Sequence, residues 1–168
     1  MTGCQNRFSA TLLLLCCLLR SASGFHLRGS ADIAESLRQL TLITPERSRS
    51  QLEPVLRRQL EANGVILNSG SGYTLQIISE SRSRREATLG ANADIDEYEL
   101  TTKVSFEVKD PQGTPVLQRK ILAERTYDYD SDKETASSAQ EAQLYIEMDQ
   151  QLANQILRFY ANLKPATP

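Results

Sequence analysis

From Tyr98 to Lys109 the side chains alternate in character with almost no break. Tyr98, Leu100, Thr102, Val104, Phe106 and Val108 take one side, and Glu99, Thr101, Lys103, Ser105, Glu107 and Lys109 take the other. Successive strand residues point to opposite faces, so this run predicts a long strand with one packed face and one polar face. Asp110-Pro111-Gln112-Gly113 is a turn signature, which makes Val116 to Tyr127 an antiparallel return strand. In that return, Leu117, Ile121, Ala123 and Tyr127 share a side with Arg119 and Arg125. The expectation is that these arginines lie at strand ends, with stems over apolar surface and tips in water.

The remaining elements supply the cover. Leu40 to Ile43 reads as a short strand stopped by Thr44-Pro45, because a residue before proline is pushed to extended geometry. Ser50 and Glu53 have capping-box spacing, Pro54 fits a first helical turn, and Leu52, Val55, Leu56 and Leu60 mark one helical face. Asn63-Gly64 stops that helix. Tyr73, Leu75 and Ile77 open a second strand. From about Ser137 a long helix is predicted, with Ser138 and Glu141 as its capping box. Its stripe is Ala142, Tyr145, Leu152, Ile156, Phe159 and Leu163, widened by Ile146, Met148, Ala153, Leu157 and Tyr160. The order β-α-β-β-β-α predicts an α+β two-layer sandwich: a four-stranded mixed sheet with two helices on one face. Residues 44–72 are long enough for the first crossover.

The chain's front end has a different character. Arg7 precedes an apolar run from Ala10 to Leu19 that ends at Arg20 and Ser21-Ala22-Ser23. About ten apolar residues are too few to cross a bilayer, and the pattern reads as a secretory signal over residues 1–23. The body is then one domain, residues 24–163, with a tail over 164–168. All three cysteines, Cys4, Cys16 and Cys17, fall in the signal. The exported body thus stands on packing alone. Losing Arg7 and Arg20 lowers the basic residues from 19 to 17 against 21 acidic ones, so the body carries no basic nucleic-acid footprint.

Catalytic templates fail for want of parts. One histidine in the whole chain cannot build a His-rich metal site, and no G-x-S-x-G or P-loop pattern occurs. Asp128, Asp130 and Asp132 imitate a calcium loop, but Lys133 and Ala139 stand where that loop needs glycine and glutamate. No metal, no cofactor and no enzymatic reaction are expected. Asp94, Asp96 and Glu97 sit in a predicted loop without a histidine partner. Arg82, Arg84 and Arg85 cluster just after the second strand. They could grip phosphates through bidentate guanidinium contacts; the plainer reading is a solvated strand end balanced by Glu80 and Glu86.

Several stretches together carry a family resemblance. Gly24-Phe25-His26-Leu27-Arg28-Gly29 follows the signal directly. Leu56-Arg57-Arg58-Gln59-Leu60 leads to Asn63-Gly64-Val65, and Glu97-Tyr98-Glu99-Leu100 opens the alternating strand. Arg125-Thr126-Tyr127-Asp128-Tyr129-Asp130, Glu147-Met148 and Gln155-Ile156-Leu157-Arg158 follow in order. In sequence and spacing these resemble the lipopolysaccharide-assembly lipoprotein family, LptE. The resemblance implies a Gram-negative outer-membrane protein on the periplasmic side. It also implies a one-to-one complex with the β-barrel LptD, which such proteins plug and help assemble, and contact with lipopolysaccharide. For that ligand, Arg82, Arg84 and Arg85 are the candidate lipid A phosphate contacts.

One position departs from the family pattern. The acylated cysteine expected before Gly24 is Ser23, whose hydroxyl cannot form the thioether anchor. Either the body is unlipidated and held by its barrel partner, the reading favoured here, or Cys16 or Cys17 serves irregularly as the anchor, although neither follows the small residues that a lipoprotein peptidase needs. The alternative function is a soluble periplasmic carrier for a small or lipidic ligand.

Overall fold

The computed structural model describes residues 33–45, 50–67, 70, 72–89 and 95–164. The predicted signal over 1–23, Ser23, the stretch 24–29, Asp94 and residues 165–168 of the tail lie outside the described residues. The strands are β1 (Gln39–Ile43), β2 (Ile66–Leu67), β3 (Tyr73–Leu89), β4 (Ile95–Lys109) and β5 (Pro115–Asp128), and the helices are α1 (Glu53–Ala62) and α2 (Glu134–Ala161). Short 3-10 turns at Glu35–Leu37 and Ser131–Lys133 precede β1 and α2. The sheet order is β2-β1-β3-β4-β5. β1 runs parallel to both its neighbours, the α1 crossover joining it to β2, from which the chain passes to β3, while β3, β4 and β5 form an antiparallel meander. Two helices on a mixed sheet form the α+β sandwich anticipated from the pattern.

The sheet has five strands rather than four. Ile66 and Leu67 pair with Gln39 and Leu40 at the edge of β1. Two residues are too few to produce a period, so the sequence carries no alternation to read there. What delivers them is the helix stop: Gly64 has φ +82°, its N–H donates to Glu61 O at 3.0 Å, and Val65 N–H donates to Leu60 O at 3.1 Å. Those two bonds make a Schellman motif, which satisfies orphan carbonyls and turns the chain back toward the sheet.

The ends of the helices match the sequence unevenly. Ser50 Oγ accepts the Glu53 N–H at 2.9 Å, as a cap should. The Glu53 carboxylate, however, takes Arg57 Nε at 2.8 Å, so only half of the predicted box forms. Ser138 and Glu141 form no box, because α2 begins at Glu134 and both residues are interior. Asp130 does the corresponding work one turn earlier. Its carboxylate accepts from Asp132 N–H at 3.0 Å and from Lys133 Nζ at 2.7 Å, and those two bonds, Lys133 foremost, hold its pKa below the ordinary value.

The core lies between helices and sheet. Leu52, just ahead of α1, and Leu56 and Leu60 within it meet Met148, Leu152, Ile156 and Tyr160 of α2 over Leu40, Leu75, Ile77, Leu100, Phe106 and Val108. Each buried leucine contributes about 2 kcal/mol. The stripe of α2 is rotated from the predicted one. Phe159 and Ile146 are exposed, as is Ala142, while Met148 and Tyr160 lie at its centre with no exposure. Tyr160 also solves a polar problem. Its hydroxyl donates to Leu37 O at 2.5 Å and ties the last turns of α2 to the chain ahead of β1. Burial pushes that phenol's pKa far up.

Candidate functional site

The charged end of the sandwich is created by one residue. Ile77 pairs with Phe106 and Ser79 with Ser105, so Ile78 is an unpaired bulge residue in β3. Before it, Tyr73, Leu75 and Ile77 face the helices. After it the parity reverses, because one inserted residue moves every later side chain to the other face. Glu80, Arg82 and Arg84 therefore stand opposite Val104, Thr102 and Leu100 on the helix-covered side, and Arg85 stands opposite Glu99 on the open side.

This corrects the placement read from the sequence. Arg82, Arg84 and Arg85 do not come after the strand; they lie within β3, which continues to Leu89. They also do not converge. Arg82 makes a bidentate ion pair with Asp149 of α2, both contacts at 2.7 Å. Its guanidinium carbon lies 4.9 Å from the Tyr145 ring centroid. Arg84 reaches Glu141 at 2.9 Å and lies 4.6 Å from the Tyr98 ring centroid. Arg85 pairs with Glu99 across the strands at 2.6 and 2.7 Å. Arg119 and Arg125 are likewise mid-strand, opposite Phe106 and Leu100, rather than at strand ends. Arg125 is held over the sheet because its guanidinium reaches Gln151 Oε1 of α2 at 2.8 Å.

The result is a polar clamp between β3 and α2. Glu80 extends it to α1 by accepting from Ser50 Oγ at 2.6 Å and from Gln51 N–H at 3.2 Å. Tyr127 donates to Glu141 at 2.7 Å. Burial first, and then that bond to Glu141, push the Tyr127 phenol up to about 12. The Tyr98 ring stacks on Tyr127 at 5.8 Å and meets Tyr129 edge-on at 5.1 Å. Asp149 is 5% exposed. Its pKa is raised, because burial penalises the carboxylate by more than Arg82 relieves it. The sequence reading passed over Asp149, Glu141 and Tyr145 as clamp partners. Their signal is spacing: Asp149 falls four residues after Tyr145 and three before Leu152, on the buried stripe itself.

Among the described residues, Arg82 Nε and Thr102 Oγ1 in the clamp are buried without a hydrogen-bond partner. They belong to residues directly opposite each other across β3 and β4. A buried hydroxyl without a partner costs stability. Thr102→Val should therefore raise stability by about 1 kcal/mol, read as a higher urea midpoint with an unchanged slope. A lower midpoint would show that the hydroxyl is in use.

The other face of the sheet is uncovered among the described residues. It carries the Glu99, Thr101, Lys103, Ser105, Glu107 and Lys109 row of β4, in which Thr101 is buried rather than solvated, and Lys109 pairs with Glu107 at 2.9 Å. Isolated apolar side chains, Ile78, Val116 and Leu122, are exposed along the sheet. Among the described residues no helix is long and apolar enough to cross a membrane.

An α+β sandwich with both described helices on one side, a parallel first crossover, a long three-strand meander and a polar sheet face that no described residue covers defines the class. Within that class, the LptE family, described as lipopolysaccharide-assembly, matches residues 37–159. The chain belongs to this family. Among its relatives is the LPS-assembly lipoprotein LptE of Photorhabdus laumondii, 29% identical over 158 residues, covering 92% of this chain and 85% of that protein. The protein of the same name from Yersinia pestis is 27% identical, with coverages of 92% and 75%. Two crystal structures share the fold with TM-scores of 0.64. The rare lipoprotein B of Shewanella oneidensis is 28% identical and covers 73% of this chain and 93% of that one. A minor lipoprotein from Acinetobacter baumannii is 30% identical, with coverages of 79% and 98%.

Proposed function

We propose that this protein works in lipopolysaccharide assembly at the periplasmic side of the outer membrane, as a non-catalytic component that plugs the LptD β-barrel and contacts lipopolysaccharide. Family membership over residues 37–159 carries the reading, and the relatives named LPS-assembly lipoprotein support it. The physical support is the bare sheet face. A row of Thr, Lys, Ser and Glu side chains suits a hydrated barrel lumen, since barrel interiors are polar. The helix-covered side is filled with packed side chains such as Leu56, Phe106 and Leu152, all without exposure, which favours a plug over a carrier.

For lipid A phosphates, Arg82, Arg84 and Arg85 remain the proposed contacts, with unequal parts. Arg82 is held beneath α2 by Asp149. The side chains of Arg84 and Arg85 are 49% and 68% exposed, so each can exchange a carboxylate for a phosphate at little cost. Two measurements test the reading. Detergent extracts should yield this protein and a barrel in one-to-one ratio. The Arg84→Ala/Arg85→Ala variant should bind immobilised lipopolysaccharide about tenfold more weakly while still recovering the barrel. Equal binding by variant and parent would remove the arginine contacts.

A further inference from the structure

Strand register sets two rows of three side chains side by side on the open sheet face. Ser79, Ser105 and Lys120 form one row; Ser81, Lys103 and Leu122 form the next. Together they line one shallow depression in the middle of the sheet. The two lysines stand on a diagonal and both are exposed. Neither has an ion-pair partner among the described residues, whereas Arg85 and Lys109 on the same face meet Glu99 and Glu107. Like charges on neighbouring strand positions repel. An uncompensated lysine pair in a chain of net charge −2 is therefore a local feature with its counter-charge still to come.

We propose that this depression is a docking point for acidic side chains on the protein wall that encloses the sheet. The inference rests on the plug reading, in which that wall is the inner surface of the barrel. The ammonium groups of Lys103 and Lys120 donate to carboxylates from the rim, and the hydroxyls of Ser79, Ser81 and Ser105 donate from the floor. Leu122, 49% exposed, excludes water at one edge and strengthens those contacts. The chemistry favours a protein carboxylate over a lipid phosphate. Lysines are point charges without the guanidinium fork that matches phosphate.

The test is Lys103→Glu/Lys120→Glu in the full chain, co-expressed with the barrel. Like-charge contacts should lower barrel recovery at least about tenfold, and recovery by the parent should fall as salt rises. Thermal unfolding of the isolated variant should match the parent, because both side chains are exposed, and Lys103→Arg/Lys120→Arg should recover the barrel as the parent does. Equal recovery by parent and glutamate variant overturns the docking point and leaves the plug reading intact. Loss of lipopolysaccharide binding with barrel recovery preserved also overturns it, in favour of a lipid phosphate. Failure of the parent to recover any barrel removes the plug reading and the docking point with it.

Discussion

Arg82→Met should destabilise the protein by about 3 kcal/mol at neutral pH, because it leaves Asp149 charged, buried and alone. That corresponds to a fall in Tm of roughly 10 °C for a body of this size. The cause is the 5% exposure of Asp149 and not the loss of an attraction as such. Arg82→Met/Asp149→Leu should therefore recover stability to within about 1 kcal/mol of the parent. The pH dependence has a definite sign. Asp149 already has a raised pKa, burial outweighing Arg82, so the folded chain takes up its proton before the unfolded chain does. Its contribution to stability is then greatest below the ordinary carboxylate pKa and declines as pH climbs toward the raised value. Removing Arg82 raises that value further. The deficit of Arg82→Met should thus shrink steadily as the medium is acidified, in denaturant titrations run across the acidic range. A deficit that stays constant with pH would mean that Asp149 is not the group responsible.

Gly72→Ala is expected to cost at least as much, by a different route. Gly72 has φ +83°, and a Cβ built on it would lie 2.2 Å from Gln39 O and 2.9 Å from Gln39 C. The obstruction is backbone, so no side chain can swing aside. Left-handed geometry alone costs an alanine about 1–2 kcal/mol, and displacing β1 adds the strain of an overpacked site, for roughly 3 kcal/mol or more in total. Gly113 is the control, with φ +85° and nothing within 4 Å of its added Cβ; Gly113→Ala should cost only about 1 kcal/mol. Urea midpoints separate the two, and amide exchange in β1 should accelerate in Gly72→Ala alone. Equal costs at the two glycines would show that β1 can yield.

How much of this was legible in the residues depended on whether a signal had room to repeat. The alternation from Tyr98 to Val108 specified β4 and its two faces, and the Leu52-Val55-Leu56-Leu60 spacing specified α1. Asp110 to Gly113 specified the turn. β2 was illegible because two residues have no period. The start of α2 was misplaced because Ser138 and Glu141 imitate a cap, while Glu141 is committed to Arg84 and Tyr127. The arginine group was misread most deeply. Neighbours in sequence are not neighbours in space here: strand alternation sends Arg82 and Arg84 one way and Arg85 the other, and the unpaired Ile78 decides that the first two face the helices. Tertiary partners such as Asp149 appear only once α2 is laid across the meander; until then an acid on an apolar stripe looks like a surface residue.

Ile78 also sets which face of this hairpin holds which charges. Ile77 and Ser79 meet Phe106 and Ser105, which are themselves neighbours, so deleting Ile78 would leave every later side chain on its present face. Keeping Ile78 but pairing it with Ser105 would act like a change of reading frame. Glu80, Arg82 and Arg84 would then turn toward the open side and Ser79, Ser81, Ser83 and Arg85 under α2, stranding Asp149 and Glu141 together. The bulge, more than the residue that fills it, is consequently what keeps Arg82 and Arg84 on the helix side.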